Sequence, residues 1–240
     1  MTQRTWVILG ATSIIAEKFA HIAAQAGHRL RLIGRQAAQL QLIAQDIQLR
    51  YQVSCEFFIV DMMNNPEDLL FILNESEQEL DLFIAHSDFT ENDHLTPQSI
   101  QQLIQINIQA TALCINAYLQ KTQTQHHLLY LSSVAACRGR AKNSLYGATK
   151  ACIEVYLQGL QQAASNNQQI TIARLGFIDT RQTYGRPGIF YAGPPAACAQ
   201  ACWNALGKKK QLIYYPSFWR AIMAIIKNLP FFVYKRMGSI

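Results

Sequence analysis

The chain has 240 residues, half of them apolar, which is enough to bury the core of one α/β domain. No apolar run reaches the roughly 18 residues of a transmembrane helix, no signal peptide is evident, and the six cysteines lack metal-ligand spacing. The net charge is +6, but Asp179 is the last acidic residue and nine basic residues follow it. We therefore expect a cytoplasmic protein without a metal and with an anionic partner, a membrane surface or an acidic ligand. No nucleic-acid-binding motif accompanies these charges.

The first elements predict a phosphate-binding turn. Residues 5–9 are typical of a buried strand, residues 10–13 form a turn of small residues, and residues 14–26 have helical spacing that ends at Gly27. At such a junction, unpaired backbone N–H groups and the helix dipole favour a pyrophosphate group. The residues expected to line this site are Gly10, Thr12, Ser13 and Ile15.

The end of the second strand indicates which dinucleotide would bind. Residues 30–33 predict a strand, and Arg35 follows it. The sequence has no acidic residue from Gly34 through Ala44 that could accept a hydrogen bond from a ribose 2′-hydroxyl. A guanidinium suits a 2′-phosphate instead, which favours NADP(H), with NAD(H) as the alternative. A solvated arginine at a strand end is the competing interpretation.

The third strand ends in two further candidates for dinucleotide binding. A helix is predicted over residues 36–49 and a strand over residues 55–60. Asp61 comes next, and its carboxylate could accept a hydrogen bond from an adenine amino group. Met62 would then pack on the adenine ring.

The fourth strand and the helix after it carry two polar residues of uncertain role. A helix from residue 66 to about residue 76 and a strand over residues 81–85 lead to His86, close to the expected cofactor. We expect His86 to be a hydrogen-bonded structural residue rather than a catalytic one. Asn107 lies among apolar residues in a long helix predicted over residues 97–119, where it either bridges to buried partners or faces solvent.

The fifth strand and the helix after it carry the strongest chemical pattern. Ser133 follows a strand over residues 128–131, and ligands bind at such strand ends in an open α/β sheet. In a helix over residues 145–163, Tyr146 and Lys150 share a face, so the ammonium group would lower the pKa of the phenol. Ser133 would then hold a carbonyl oxygen while Tyr146 protonates it. The alternative is a packed tyrosine beside a solvated lysine.

A regular alternation of strands and helices continues to residue 215. The remaining elements are a strand over residues 170–175, a mobile lid over 181–195, a helix over 196–206 and a strand over 211–215. Such alternation predicts a parallel sheet with helices on both faces, in one domain over residues 1–215.

The order and spacing of these motifs resemble the short-chain dehydrogenase/reductase family over residues 4–215. The matching positions are residues 10–13, Asp61, Asn107, Ser133, Tyr146, Lys150, Leu175, Gly176 and Thr180. The resemblance implies a Rossmann-type, doubly wound parallel sheet and a nicotinamide cofactor. It implies that Tyr146 is the general acid or base and that Lys150 lowers its pKa and holds the nicotinamide ribose. Ser133 would orient the substrate oxygen, and Asn107 would support a water that relays protons to Lys150. Further cofactor contacts would come from Ala85, Ile178, Gly176 and Thr180.

Three places depart from the usual pattern of that family. Ile14 and Ala16 stand where glycines are usual, Leu175 stands where proline is usual, and residues 85–88 read Ala-His-Ser-Asp in place of Asn-Asn-Ala-Gly. In its first loop and in residues 215–220, the chain is also similar to the reductase half of the decaprenylphosphoryl-ribose 2′-epimerase. That similarity implies NAD(P)H-dependent reduction of a keto-sugar on a lipid carrier.

Residues 216–240 form a basic, amphipathic segment. A helix over residues 217–229 would place apolar side chains largely on one side before Pro230 breaks it; these are Phe218, Ile222, Ile225, Ile226 and Leu229. An apolar stripe with only positive charges fits an interfacial membrane helix. A flap over the substrate pocket and a homo-oligomer contact are the alternatives.

Together these patterns predict an NADPH-dependent carbonyl reductase that acts on a lipid-linked or otherwise apolar ketone at the cytoplasmic face of a membrane, as a homo-oligomer. An acyl-chain or general ketone reductase of the same family is the second interpretation. A non-catalytic NADP-sensing membrane scaffold is the third, although the presence of Ser133, Tyr146 and Lys150 together favours an enzyme.

Overall fold

The computed structural model describes residues 3–74, 79–181, 183 and 191–237. Within these residues, seven parallel strands form one sheet in the order β3-β2-β1-β4-β5-β6-β7. The strands are β1 (Thr5–Leu9), β2 (Arg29–Gly34), β3 (Cys55–Ile59), β4 (Leu80–Ile84), β5 (His126–Ser133), β6 (Gln168–Leu175) and β7 (Leu212–Tyr215). This sheet confirms the predicted Rossmann-type architecture.

Helices connect the strands close to the predicted bounds. They are α1 (Ile14–Gln25), α2 (Ala37–Tyr51), α3 (Asp68–Asn74), α4 (Pro97–Ile104), α5 (Thr111–Gln120), α6 (Ser144–Ala163), α7 (Pro195–Gly207), α8 (Trp219–Asn228) and α9 (Phe231–Arg236). Short 3₁₀ turns lie at Asn92–His94 and Val134–Cys137. Most of the predicted lid over residues 181–195 lies outside the described residues.

The helix predicted over residues 97–119 contains an irregular turn. A π-helical segment, Gln105–Ala110, separates α4 from α5. Its carbonyl at Ile106 accepts a hydrogen bond from the Thr111 hydroxyl at 3.3 Å and lies 3.2 Å from Nε2 of His86. Side chains that engage a helix carbonyl in this way disturb the regular backbone ladder. The chain is thus helical over the predicted residues 97–119, but its middle turn is π-helical, and this irregular turn contains Asn107.

Both faces of the sheet are buried at its centre, as the strand β1 shows. Trp6 and Ile8 belong to a core cluster with residues of α1, α2 and α7, whereas Val7 and Leu9 belong to a second cluster with residues of α3, α5 and α6. A strand that is covered on both faces reads as a continuous apolar run rather than an alternating one.

The order of the strands reverses at β1, which lies between β2 and β4. In a sheet of this kind, the crevice beyond the carboxyl ends of the strands at the reversal point is where ligands bind. The turn after β1 is fixed there, because the N–H groups of Gly10 and Ala11 both donate to the carbonyl of Ile33. Ala85, the residue after β4, is fixed as well, because its N–H group donates to the carbonyl of Leu9.

The helices α8 and α9 follow β7, and we refer to them as the carboxyl-terminal helix pair. A small cluster joins α8 to the rest of the protein; its members are Val134, Trp219 and Met223, bordered by Cys137, Phe177, Tyr214, Ile222 and Ile226. The structure therefore divides the predicted apolar side of this helix, because Ile222 and Ile226 pack inward while Ile225 is exposed. Among the described helices, none has both the length and the apolar composition that crossing a bilayer requires.

Candidate active site

A cleft of about 800 Å³ opens at the carboxyl edge of the sheet. The predicted residues that line it are Thr12, Ser13, Ile15, Ala85, Ser133, Tyr146, Lys150, Gly176, Ile178 and Thr180. A smaller cavity of about 250 Å³ shares Thr12, Ser13 and Ala85 with the cleft and is also lined by Gly10, Arg35 and Met62. The fold thus gathers most of the predicted cofactor and catalytic residues around this cleft and the adjoining cavity.

The turn after β1 retains the backbone that a phosphate site needs. Gly10 has a φ of 74°, and a Cβ there would lie 2.6 Å from the backbone nitrogen of His86, so only glycine fits. In the described structure the Ser13 side chain caps no backbone N–H of α1, which leaves the helix amino terminus available to an anion. Ile14 and Ala16 lie in the right-handed backbone of α1, so the missing glycines change the space beside the turn rather than its conformation.

Arg35 and Asp61 differ in whether their side chains are already engaged by the protein. Arg35 is exposed and lines the smaller cavity, as expected of a residue that could bind a 2′-phosphate. Asp61 instead caps its own turn, because its carboxylate accepts hydrogen bonds from Met63 N at 2.9 Å and from Asn64 Nδ2 at 2.6 Å. These bonds, with a smaller effect of the Arg35 charge, lower the pKa of Asp61. Its contact with an adenine ring stays a prediction.

Lys150 is buried beneath the cleft. Its Nζ donates to the carbonyl of Leu131 at 2.9 Å and lies 4.8 Å from the centroid of the Tyr130 ring, within the range of a cation–π contact. Burial lowers the pKa of Lys150 to about 7, although the nearby Glu154 carboxylate acts in the opposite direction.

Tyr146 is half-buried in the first turn of α6 and hydrogen-bonds with the hydroxyls of Ser133 and Ser87. Burial raises the pKa of Tyr146, while the two hydroxyls and the charge of Arg140 oppose that rise. The expectation that Lys150 lowers the pKa of this phenol was therefore wrong for the geometry observed, in which the ammonium group binds the Leu131 carbonyl. Tyr146 holds its proton at neutral pH.

Gly147 explains how Tyr146 comes so close to Ser133. A Cβ at Gly147 would lie 2.7 Å from the carbonyl oxygen of Ala135, two residues after Ser133. Only glycine allows the first turn of α6 to approach this backbone. The signal was present in the sequence as a glycine beside Tyr146 in a helix, where glycine is otherwise unfavourable.

Asn107 holds two walls of the cleft together. It is buried, its Oδ1 accepts from Asp88 N at 2.7 Å, and its Nδ2 donates to Asp88 O and to Thr149 Oγ1, both at 3.0 Å. Asp88 follows Ser87 after β4, and Thr149 precedes Lys150 on α6. The side chain of Asn107 is thus a positioning group, and its support of a relay water stays a prediction.

His86 is buried and supports the irregular turn. Its Nε2 lies 2.8 Å from Thr111 Oγ1, and its Nδ1 has no hydrogen-bond partner among the described residues. Burial, assisted by the charge of Lys150, lowers the pKa of His86 to about 3, so the ring is neutral. The structure agrees with a hydrogen-bonded structural residue.

A buried ion pair that the sequence did not indicate lies behind Lys150. Arg174 Nη2 donates to Glu154 Oε2 at 2.6 Å, and Ser132 Oγ donates to Glu154 Oε1 at 2.5 Å. Arg174 Nη1 also donates to the Tyr214 hydroxyl at 2.5 Å. Burial alone would lower the pKa of Arg174, but the Glu154 carboxylate raises it above its ordinary value. Arg174 therefore stays charged.

Comparison with known proteins places these features in a family. The family model described as short chain dehydrogenase matches residues 4–185. An uncharacterized oxidoreductase of Staphylococcus epidermidis is 29% identical over 190 residues, which cover 76% of this chain and 81% of that protein. A second, from Staphylococcus aureus strain MW2, is 26% identical over 191 residues, with the same coverage of 76% and 81%.

Two solved structures share the fold. A short-chain dehydrogenase from Sphingobium yanoikuyae in complex with NADPH has a TM-score of 0.79 at 20% identity, over 95% of this chain and 96% of that one. A bulky-bulky ketone specific alcohol dehydrogenase from Comamonas testosteroni has a TM-score of 0.80 at 17% identity, over 96% of each chain.

Proposed function

Since the chain belongs to the short-chain dehydrogenase family, a family of NAD(P)-dependent oxidoreductases, we propose that it is an NADPH-dependent reductase of an apolar or lipid-linked ketone. The observation that carries this proposal is the meeting of Ser133, Tyr146 and Lys150 in one cleft beyond the strand ends. The pKa of Tyr146 is raised, so the resting group is a phenol that can give a proton to a carbonyl oxygen.

The residues of the cleft fit a nicotinamide dinucleotide. Gly10 leaves a space that a Cβ would fill, and the amino terminus of α1 offers backbone N–H groups to phosphate oxygens. Arg35 would bind a 2′-phosphate, Lys150 would bind the nicotinamide ribose, and the wall opposite α1 would come from Gly176, Ile178 and Thr180. When bound, the cofactor would supply the hydride. NADPH in the Sphingobium structure supports the choice of NADP(H), and NAD(H) stays the alternative.

The chain's own residues would donate the proton and bind the substrate oxygen. The Ser133 hydroxyl would hold the carbonyl oxygen, and Tyr146 would deliver its phenolic proton to that oxygen. The phenolate left behind would be stabilised by the hydroxyls of Ser133 and Ser87 and by the charge of Arg140. Lys150, with a pKa of about 7, can exchange a proton near neutral pH.

The substrate is proposed from similarity to known proteins. The Comamonas protein is, by its description, specific for bulky-bulky ketones, which supports a bulky ketone as the substrate. The weaker similarity to the reductase half of the decaprenylphosphoryl-ribose 2′-epimerase suggests a keto-sugar on a polyprenyl phosphate. An acyl-chain or general ketone is the second candidate. The cytoplasmic location and homo-oligomeric assembly stay predictions.

A non-catalytic NADP-sensing scaffold is the candidate from another class. The observation in its favour is the side chain of Ile14, which lines the cleft where the family usually has glycine. Binding of NADPH without turnover of any ketone, in the presence of folded protein, would establish this function instead.

The test is Tyr146→Phe, assayed by NADPH oxidation against bulky aryl ketones, 3-ketoacyl thioesters and a polyprenyl-phosphate keto-sugar. Because the variant lacks only the proton donor, we expect kcat to fall by about 10²–10⁴-fold while NADPH binding, followed by tryptophan fluorescence, is retained. Ala148→Ser, at an exposed position of the same turn, is the matched control and should keep activity. Unchanged turnover in Tyr146→Phe would disprove the mechanism.

Arg35→Ala tests the choice of cofactor. Loss of a charge-assisted bond to a 2′-phosphate should raise the dissociation constant of NADPH by roughly 10- to 100-fold and leave that of NADH nearly unchanged. Arg50→Ala, which removes an exposed arginine from α2, should change neither constant. Equal weakening of both cofactors would show that Arg35 does not bind the phosphate.

A further inference from the structure

The outer surface of the carboxyl-terminal helix pair is apolar to an unusual degree. The exposed fractions of Ile225, Phe231 and Phe232 are 65%, 73% and 67%. Single exposed apolar residues are normal on any protein, and Leu42 and Leu49 on α2 are examples. Two adjacent, largely exposed phenylalanines in one short helix indicate an interaction surface.

The charged residues of the helix pair itself are all positive. The exposed cations of the helix pair are Arg220, Lys227, Lys235 and Arg236, and the sequence has no acidic residue after Asp179. In α9, Phe231 and Phe232 each precede a cation by four residues, so ring and cation share a helix face. A partner that matches this surface offers an apolar interior beneath a negatively charged boundary, which describes an anionic lipid bilayer.

The exposed rings are presented by a firmly attached segment. Arg138 Nη1 donates to the carbonyls of Ile226 at 2.5 Å and Leu229 at 2.8 Å, at the carboxyl end of α8. Its guanidinium lies 3.9 Å from the centroid of the Tyr234 ring, and the Tyr234 hydroxyl donates to Gly139 O at 2.6 Å. The inner face of the pair is thus fixed to residues 138–139, which leaves the outer face without a structural role in the described protein.

We propose that the carboxyl-terminal helix pair is a docking surface for an anionic lipid bilayer. The same segment adjoins the cleft at Gly176, because a Cβ on this cleft-lining residue would overlap the indole of Trp219 in α8. Docking would therefore bring the cleft beside the bilayer, which, granted the proposed function, suits a ketone that resides in lipid.

Sedimentation of the full chain with lipid vesicles tests the proposal without any measurement of activity. We expect binding to phosphatidylcholine vesicles that contain roughly a third of phosphatidylglycerol, weak binding to pure phosphatidylcholine, and loss of binding as salt rises from about 0.05 to about 0.5 M. Lys235→Gln/Arg236→Gln should lower the partition constant by roughly 30-fold. Phe231→Ser/Phe232→Ser should lower it by at least about tenfold.

Matched variants distinguish docking by the helix pair from nonspecific binding of the protein to vesicles. Lys208→Gln/Lys210→Gln removes two exposed cations that precede β7, at the opposite end of that strand from α8, and Leu42→Ser/Leu49→Ser removes two exposed apolar residues from α2. Both pairs should bind vesicles like the wild type, with thermal unfolding confirming that every variant is folded.

Three results would overturn the proposal. They are no binding of the wild type to anionic vesicles, an equal loss of binding in the control pairs, and a dimer that Phe231→Ser/Phe232→Ser converts to monomers, which would make the surface a contact between two copies. Reduction of a water-soluble ketone distinguishes the two proposals, because it would persist if docking alone is wrong and be absent if the reductase function is wrong.

Discussion

The helix α6 and the carboxyl-terminal helix pair depart from the ordinary pattern of burial in opposite directions. On α6, Lys150 and Glu154 are almost completely buried, whereas the helix pair exposes Ile225, Phe231 and Phe232. Buried charge and exposed hydrocarbon are both unfavourable when they have no partner. Either feature is therefore informative, because it must be offset by some other interaction.

The difference lies in where that interaction is found. On α6 it is inside the molecule, since Lys150 binds the Leu131 carbonyl and Glu154 binds Arg174. On the outer face of the helix pair, the described residues offer no acidic side chain from the segment itself and no apolar cover. We infer that the buried charges of α6 serve chemistry at the cleft. We infer likewise that the exposed apolar side chains of the helix pair bind a partner outside the chain.

Removal of Glu154 should show the largest effect. Glu154→Ala leaves the Arg174 guanidinium buried with only the Tyr214 hydroxyl as a side-chain partner that the structure describes, so we expect the free energy of unfolding to fall by about 3–5 kcal/mol. Urea denaturation at pH 7 measures this change. A fall of less than about 1 kcal/mol would contradict the view that α6 depends on this pair.

A double variant separates the loss of a partner from the loss of a favourable pair. Glu154→Met/Arg174→Met removes both charges and keeps the volume apolar, so it should recover most of the stability that Glu154→Ala loses. If the double variant is as unstable as the single one, the ion pair itself is stabilising and the burial of charge on α6 needs another explanation.

The next effect is the pH dependence that Lys150 contributes. Its pKa falls from 10.5 to about 7 on folding, so between those pH values the unfolded chain binds more protons than the folded one. Stability from this group therefore rises with pH across that window, at up to about 1.4 kcal/mol per pH unit. Lys150→Met removes this pH dependence. The variant should therefore be more stable than the wild type at pH 7, and the difference in unfolding free energy between the two proteins should shrink between pH 7 and pH 9.

Chemical denaturation of both proteins at matched pH measures that difference. Lys121→Met, at a half-buried position after α5, is the control for the change from lysine to methionine. A constant difference between Lys150→Met and the wild type would mean that Lys150 keeps an ordinary pKa in the folded protein.

For α6, the sequence predicted only those features that depend on residues within the helix itself. Tyr146 and Lys150 are four residues apart, and their shared face follows from helix geometry alone. The partner of Glu154 is twenty residues away on β6, where Arg174 stands beside Ser132 of β5 in the parallel register. That register is a property of the assembled sheet. The direction of the Tyr146 pKa shift depended on burial, which spacing does not reveal.

The same limit explains the two helices that were predicted less well. The irregular turn around Asn107 arises because His86, at the end of β4, engages the Ile106 carbonyl, an interaction between distant parts of the chain. In α8, periodicity identified an apolar helix but could not show that Ile222 and Ile226 pack inward while Ile225 faces outward. The parallel sheet was predicted well because alternating strands and helices leave few alternatives.

The smallest expected effect is on folding at the outer face of the helix pair. Phe231→Ser/Phe232→Ser should change the free energy of unfolding by no more than about 0.5 kcal/mol, because exposed side chains away from structural contacts contribute little. Met223→Ala, on the inner face of α8, is the matched change and should cost about 2–5 kcal/mol, since Met223 is buried in the cluster with Val134 and Trp219. Thermal or urea denaturation without lipid measures both. A loss of several kcal/mol in the serine variant would mean that the two rings stabilise the fold itself. The contrast with α6 would then no longer hold, because these side chains of the helix pair would also have their partners inside the protein.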